Sequence, residues 1–219
     1  MRVEDSVEMK KQKEKIIFTD RLRIIFSKLL EWAGNLLNDW GVNPNVLTTT
    51  GVIGTAVGAF FVAQGKFFIG GFIILLMGPI DALDGAVARA KGEPEDFGAF
   101  VDSVSDRYIE MIIFGSLLWY FVGQEQLNAV MIVFLAASGS VLVSYTRARA
   151  QSLGFDTKVG ILTRVERILV IGPSILFGIP LIGAAIVAVG ANITAIQRVI
   201  DVRRQAQSQK IEQSQTSEE

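Results

Sequence analysis

The segment "DALDGAVARAKGEPEDFGAFVDSVSD" (residues 81–106) carries seven acidic side chains, although the sequence on both sides of it is nearly all apolar. The apolar runs include "GVIGTAVGAFFVA" (51–63), "FFIGGFIILLMG" (67–78) and "MIVFLAASGSVLVSY" (131–145). In a chain of 219 residues, half of them hydrophobic, such runs exclude an ordinary soluble domain and are typical of membrane spans. The segment therefore places carboxylates where lipid is expected.

The apolar runs predict an all-α integral membrane protein. We expect six transmembrane helices, near residues 45–64, 67–90, 98–122, 128–150, 162–178 and 181–200. The last two could be one long tilted helix, because residues 168–197 carry no charge. The sequence "GIP" (178–180) offers a turn, because proline removes a hydrogen-bond donor and restricts the residue before it.

The distribution of basic residues favours six spans over five. With six, both termini lie on one side together with every Lys and Arg except Lys66, as the positive-inside rule requires. We therefore expect both termini, the 91–97 loop and the 151–161 loop to be cytoplasmic.

The chain divides into four parts on this interpretation. They are a flexible charged amino terminus (1–17), an amphipathic helix in the lipid interface (18–40), a six-helix membrane domain (41–204) and a disordered polar tail (205–219). The amphipathic pattern would also suit a helix packed on a soluble partner, but the spans that follow directly favour the interface.

Missing residue types narrow the chemistry. The chain has no Cys, which excludes disulfides and thiolate metal sites. It also has no His, so a general base must be a carboxylate, Lys, Tyr or water. The net charge of −1 gives no indication of a nucleic-acid partner.

The aspartates of the acidic segment fall on two helical faces. Asp81 and Asp84 share one face. Asp102 and Asp106 share a face of the next helix, which the short loop makes antiparallel to the first. An isolated charge inside a bilayer costs about 2.5–3.5 kcal/mol. Protonation would remove that cost, and so would two divalent cations. Oxygen ligands alone favour Mg²⁺, Mn²⁺ or Ca²⁺ over Zn²⁺.

Small residues surround these carboxylates and leave space beside them. They are Gly85, Ala86, Ala88, Ala90 and Gly98. Tight helix packing would explain the small residues but not four aspartates. Arg89 lies just beyond the acidic face, where it could extend to the interface or bind a phosphate.

The spacing of these residues is specific. The pattern D-x2-D-G-x2-A-R-x8-G-x3-D-x3-D is filled by Asp81, Asp84, Gly85, Ala88, Arg89, Gly98, Asp102 and Asp106. It resembles the signature of the CDP-alcohol phosphotransferases. The segment "NPNVLTTTG" (43–51) resembles the family's opening of the first span, and the six-span layout with a preceding interfacial helix is also similar.

The resemblance implies transfer of a phosphatidyl group from a CDP-linked lipid, CDP-diacylglycerol or CDP-archaeol, to an alcohol, with release of CMP. It implies that Asp81, Asp84 and Asp102 hold two divalent cations, Mg²⁺ or Mn²⁺. Asp106 would complete the metal site and act as general base on the acceptor hydroxyl.

The resemblance also implies the nucleotide site and the setting. Gly85 and Ala88 would leave room for the cytidine, and further contacts would come from Asp84, Arg89, Asn45 and Thr48. A homodimer in contact with lipids of a prokaryotic cell (inner) membrane is expected, with the active site on the cytoplasmic side.

An arginine-rich segment, "SYTRARAQSLGFDTKVGILTRVER" (144–167), lies near the cytoplasmic surface. These arginines suit an acceptor that carries its own phosphate, although topology and lipid headgroups could account for all of them. The segment resembles the phosphatidylinositol-phosphate synthase subgroup, Y-x-K/R-A-R-A-E…E-R-x-E-R. That resemblance implies an inositol 1-phosphate site made of Arg147, Arg149, Arg164, Arg167 and Arg198.

Two departures from the subgroup pattern leave the identity of the acceptor open. Gln151 and Thr163 stand where the subgroup has Glu, so glycerol 3-phosphate remains an alternative acceptor. Outside this chemistry, the acids could form the path of a cation transporter, or they could pair with Arg89 and Arg107 in a structural membrane protein. A pore would not need the Gly-Ala-Arg spacing.

Overall fold

The structure, a computed structural model, describes residues 18–92 and 96–216. Every regular element in these ranges is an α-helix, as the sequence predicts. The helices are α1 (Phe18–Asp39), α2 (Pro44–Ala63), α3 (Phe67–Ala90), α4 (Asp96–Gly123), α5 (Leu127–Ser152), α6 (Arg164–Leu176) and α7 (Pro180–Thr216). The predicted flexible segment 1–17 lies outside the described residues.

Four of these helices are long and apolar enough to cross a membrane, namely α2, α3, α5 and the Pro180–Gln209 part of α7. Helix α4 carries five charged residues between Asp96 and Glu110. Helix α6 has 13 residues, about 20 Å of helix, whereas the hydrocarbon core is about 30 Å thick. The chain is therefore a membrane protein, and the count of six spans stays a prediction.

The apolar stretch after residue 168 forms two helices rather than one. Helix α6 ends at Leu176, and α7 begins at Pro180. Between them Gly178 has a φ of 73°, a left-handed conformation that favours glycine. The Ile179 amide donates to the Ser174 carbonyl at 2.8 Å and closes the turn. The turn predicted from "GIP" is confirmed.

Two of the predicted boundaries need comment. Helix α1 confirms a helix over 18–40, while its place in the lipid interface stays a prediction. Helix α7 continues to Thr216, so residues 205–216 are helical where the sequence analysis predicts disorder. The reason is that this polar segment contains no Gly or Pro to end the helix and has five Gln, a residue that favours helix.

Close approach at glycines sets the position of α3 between α2 and α6. A side-chain carbon at Gly70 would come within 2.6 Å of the Gly58 carbonyl oxygen on α2. One at Gly71 would lie 2.5 Å from the Leu176 amide nitrogen on α6. Small residues of this kind let membrane helices meet backbone to backbone. Helix α3, which carries the first two aspartates, is thereby fixed against both neighbours.

The bundle has an apolar core and an apolar outer surface. Its core includes Val62, Ile113 and Leu117, which are almost fully buried. Many large apolar side chains, such as Phe68 and Trp119, are instead exposed on the outside of the helices. In water such a surface would be unfavourable, whereas lipid chains solvate it without cost.

The loop between α5 and α6 is fastened to α7 at three levels. The Leu162 amide donates to Thr194 Oγ1 at 3.0 Å. Arg198 Nε donates to the Val159 carbonyl at 3.1 Å, and Gln205 Nε2 donates to the Asp156 carbonyl at 2.8 Å. These bonds fix the loop that leads into α6.

Candidate functional site

The end of α3 and the beginning of α4 bring three aspartates together. Carboxylate oxygens of Asp81, Asp102 and Asp106 all lie within 4.8 Å of one another. Asp81 and Asp106 are buried, and Asp102 is half-buried. The convergence of carboxylates from two adjoining helices therefore holds for three of the four predicted aspartates. We call Asp81, Asp102 and Asp106 the carboxylate group.

Asp84 is also buried but has a different partner. Thr48 Oγ1, on α2, donates a hydrogen bond of 2.5 Å to Asp84 Oδ2. The structure thus brings one predicted nucleotide contact, Thr48, directly against one predicted metal ligand. This bond ties the first turn of α2 to the last turns of α3.

The carboxylate group fits a divalent cation. Within the described ranges, Asp81 Oδ1 is buried and has no hydrogen-bond partner. A buried carboxylate oxygen without a partner is unfavourable, and coordination to a cation would satisfy it. The ligands are all hard oxygens, which Mg²⁺ and Mn²⁺ prefer. The group can therefore hold a divalent metal.

Arg164 lies on two members of this group. Its Nη2 donates to Asp81 Oδ2 at 2.7 Å, and the same nitrogen pairs with Asp106 Oδ1. Arg164 is the first residue of α6, where Thr163 and Glu166 form a capping box that fixes the start of the helix. The sequence predicts a phosphate-binding role for Arg164, and the structure places it beside the predicted metal ligands.

Arg167 follows one turn later and is enclosed. Its side chain is 2% exposed, and its Nη2 and Nε donate to Glu110 Oε1 at 2.6 and 3.2 Å. Its Nη1 donates to the Leu162 carbonyl at 3.3 Å. The sequence analysis missed Glu110, although this residue continues the four-residue series of Asp102 and Asp106 along the same face.

The remaining predicted acceptor arginines differ in exposure. Arg198 is buried, and its Nη1 donates to the Val143 carbonyl at 2.5 Å. Arg149 is exposed, and its Nη1 donates to Ser152 Oγ at 3.2 Å. The structure therefore buries Arg167 and Arg198 and leaves Arg147 and Arg149 at the surface.

The other predicted nucleotide contacts lie on an open surface beside Asp84. Asn45 is exposed in the first turn of α2, next to the helix-capping Asn43. Gly85 and Ala88 are half-buried, and Arg89 is exposed. A side-chain carbon at Gly85 would meet Arg89 Nη1 at 3.4 Å and no other described neighbour within 4 Å. Space therefore remains beside Gly85.

Comparison with known proteins gives matches along most of the chain. Residues 41–197 match the family model for CDP-alcohol phosphatidyltransferases. The chain is 38% identical over 200 residues to a phosphatidylinositol phosphate synthase of Streptomyces avermitilis, covering 84% of this chain and 82% of the relative. It is 40% identical over 179 residues to an archaetidylinositol phosphate synthase of Pyrococcus horikoshii, covering 80% and 91%.

Solved structures resemble the fold as well. The crystal structure of Mycobacterium tuberculosis phosphatidylinositol phosphate synthase with CDP-DAG bound matches with a TM-score of 0.73 at 27% identity, covering 80% of this chain and 94% of that one. A second crystal structure of that protein, in complex with manganese and citrate, matches with the same TM-score and covers 79% and 88%.

Proposed function

The chain belongs to the CDP-alcohol phosphatidyltransferase family, and on that premise we propose that it transfers a phosphatidyl group from a CDP-linked lipid to inositol 1-phosphate, releasing CMP. The family match confirms the resemblance seen in the signature residues and makes the chain a membrane transferase of phospholipid biosynthesis. The observation that carries the proposal is the carboxylate group, because its oxygens lie within 4.8 Å of one another inside the family signature.

The relatives support the choice of substrates. One similar crystal structure contains CDP-DAG, and two similar proteins are named for the synthesis of inositol phosphate lipids. One of these relatives is named a phosphatidylinositol phosphate synthase and the other an archaetidylinositol phosphate synthase. The donor is therefore CDP-diacylglycerol or CDP-archaeol.

We assign the metal site to Asp81, Asp84, Asp102 and Asp106, with two divalent cations, Mg²⁺ or Mn²⁺. When bound, such cations polarise the diphosphate and stabilise the CMP leaving group. Asp106 takes the proton from the attacking hydroxyl of the acceptor. A carboxylate suits this role because the chain has no His.

The nucleotide end of the donor would lie on the surface between the first turn of α2 and the end of α3. There Gly85 and Ala88 leave room for the cytidine, while Arg89 supplies a positive charge for a phosphate. Asn45 and Thr48 supply polar contacts from α2. The bond between Thr48 and Asp84 supports this arrangement, because it holds the two helix ends together.

The acceptor phosphate would bind among the arginines of α5, α6 and α7. Arg147 and Arg149 are exposed, and Arg164 is partly exposed beside the carboxylate group. Arg167 and Arg198 lie behind them in the interior. Together they place positive charge next to the proposed base, where a phosphorylated alcohol is needed.

In the membrane we place α1 in the interface and let α2 to α7 cross, with both termini in the cytoplasm and two copies forming a dimer. The absence of native Cys makes the crossing test direct. We expect an impermeant maleimide added to intact cells to label Gln124→Cys, in the α4–α5 loop, but not Ser208→Cys. Labelling of both residues from one side would show that α6 does not cross.

The activity is tested with purified protein in lipid nanodiscs. CDP-diacylglycerol or CDP-archaeol is supplied with inositol 1-phosphate, glycerol 3-phosphate or inositol, and CMP release is followed with Mg²⁺, with Mn²⁺ and with chelator. We expect release only with metal and inositol 1-phosphate. Turnover with glycerol 3-phosphate but not with inositol 1-phosphate would show that glycerol 3-phosphate is the acceptor. In a separate assay with proteoliposomes, metal flux without any CMP release would favour the transporter.

A further inference from the structure

Arg164 occupies carboxylate oxygens that a divalent cation would use. Its Nη2 binds Asp81 Oδ2 at 2.7 Å and pairs with Asp106 Oδ1, and both acids belong to the carboxylate group. Asp81 Oδ1, in contrast, has no hydrogen-bond partner within the described part of the chain. The guanidinium therefore satisfies only part of a site whose ligands suit a metal.

A guanidinium and a divalent cation cannot both hold these oxygens at full strength. Each is attracted by the same negative charge, and each lowers the attraction that remains for the other. Arg164 is also able to leave, because its side chain is 30% exposed and lies at the first residue of α6. Within the described residues, its Nε has no hydrogen-bond partner that would hold it in place.

We propose that Arg164 is an exchangeable counter-ion, which the cation displaces from the carboxylate group and which then binds the phosphate of the acceptor. This inference rests on the proposed function in one respect, namely that the acceptor carries a phosphate. The consequence is positive coupling. The acceptor phosphate draws Arg164 away from Asp81 and Asp106 and so strengthens metal binding, and the metal strengthens acceptor binding by the same factor.

The test measures equilibrium metal binding without catalysis. The full chain is placed in phosphatidylcholine nanodiscs without CDP-lipid, and free Mn²⁺ is followed by electron paramagnetic resonance. We expect Arg164→Gln to bind Mn²⁺ about tenfold more tightly than the wild type, because a competing positive charge is removed. Arg164→Lys keeps the charge but replaces the planar guanidinium with a strongly hydrated ammonium, and its Mn²⁺ affinity should lie between those of the wild type and Arg164→Gln.

The matched control is Arg203→Gln, which removes an exposed arginine from α7 far along the chain from the carboxylate group. Its Mn²⁺ affinity should equal that of the wild type. If Arg164→Gln and Arg164→Lys both bind Mn²⁺ as the wild type does, or more weakly, Arg164 does not compete with the cation and the proposal is wrong.

The coupling is tested by repeating the titration with inositol 1-phosphate and, separately, with inositol. We expect inositol 1-phosphate to raise the Mn²⁺ affinity of the wild type about tenfold, within the usual range of coupling between sites. Inositol should have no effect, and neither ligand should act on Arg164→Gln. If inositol 1-phosphate still raises the Mn²⁺ affinity of Arg164→Gln, the proposal that Arg164 moves to the acceptor phosphate is wrong.

Failure of the proposed function would look different. Inositol 1-phosphate would then neither bind nor support CMP release, whereas the tighter Mn²⁺ binding of Arg164→Gln would remain. That result would support competition between Arg164 and the cation for the carboxylate group. It would also show that the displaced guanidinium does not bind the phosphate of inositol 1-phosphate.

Discussion

Two arginines on α6, one helical turn apart, pair with acids in opposite ways. Arg164 is 30% exposed and divides one nitrogen between Asp81 and Asp106. Arg167 is 2% exposed, and all three of its nitrogens donate, to Glu110 and to the Leu162 carbonyl. We call Arg164 with its two acids the outer pair, and we call Arg167 with Glu110 the inner pair.

The difference shows that residue type and spacing do not determine whether an ion pair can exchange its partner or holds the fold together. Arg164 of the outer pair reaches water, whereas its two acids are buried, so a cation that replaces Arg164 on the acids lets the arginine leave at modest cost. Removal of one partner of the inner pair would leave an uncompensated charge in the interior. Both pairs join α4 to α6. The inner pair therefore fixes the relative position of these two helices, and with it the position of Arg164 beside Asp106.

The largest effect is expected at the outer pair, on activity. Asp106→Asn removes the proposed base, and we expect CMP release to fall about 10²- to 10⁴-fold, the usual contribution of general base catalysis. The unfolding temperature should change little, because Arg164 keeps Asp81 as a partner and is partly exposed. CMP release at the wild-type rate would show that Asp106 is not the base.

The next effect is expected at the inner pair, on stability. Glu110→Gln leaves the Arg167 charge buried and unbalanced, so the free energy of unfolding should fall by about 3–5 kcal/mol. Denaturant unfolding in detergent measures this change. Glu125→Gln, in the exposed α4–α5 loop, is the matched control and should be neutral. Lost activity with unchanged stability would assign the inner pair to the active site instead.

A smaller change would move α6 without touching either pair. Gly71→Ala places a carbon 2.5 Å from the Leu176 amide nitrogen, and overpacking of this kind costs about 1–3 kcal/mol. Because Arg164 bridges α6 to Asp81 on α3, we expect Mn²⁺ affinity to shift as well. Gly115→Ala, with no described neighbour within 4 Å, is the control. Equal stability of the two variants would contradict the close α3–α6 contact.

The smallest effect is expected beside the pairs, at Thr48. Thr48→Val removes the donor to Asp84 Oδ2, and loss of such a bond costs about 1–3 kcal/mol. We expect the KM for CDP-lipid to rise more than kcat falls, because the bond holds the proposed nucleotide surface. Thr50→Val is the control, since Thr50 is exposed and its described hydrogen bond goes to the Val46 carbonyl of its own helix. An equal effect of both variants would remove Thr48 from the nucleotide site.

The sequence predicts the helices from local spacing, and it predicts the carboxylate group from that spacing together with the short loop that joins α3 to α4. Residues three and four apart share a helical face whatever surrounds them. The turn at Gly178 is likewise local, since it follows from the residues that form it. These features could be predicted without knowing how the helices pack.

The partners of the arginines could not be predicted in the same way. Arg167 and Glu110 are 57 positions apart in sequence, and Arg198 binds the backbone carbonyls of Val143 and Val159. Such contacts depend on how α4, α5, α6 and α7 are arranged in space. A carbonyl acceptor leaves no signal at all in the sequence, because every residue has one.

The three hydrogen bonds from α7 to the α5–α6 loop have a practical consequence for shortened versions of the protein. Of these three bonds, a chain ending after Arg204 loses the one from Gln205 to Asp156 and keeps those of Thr194 and Arg198. The entry to α6 would stay anchored, so the polar end of α7 is a suitable place to attach a tag or a fused domain. A fusion in place of the residues from Thr194 onward would remove all three bonds to the loop, and Arg164 would lose its fixed position.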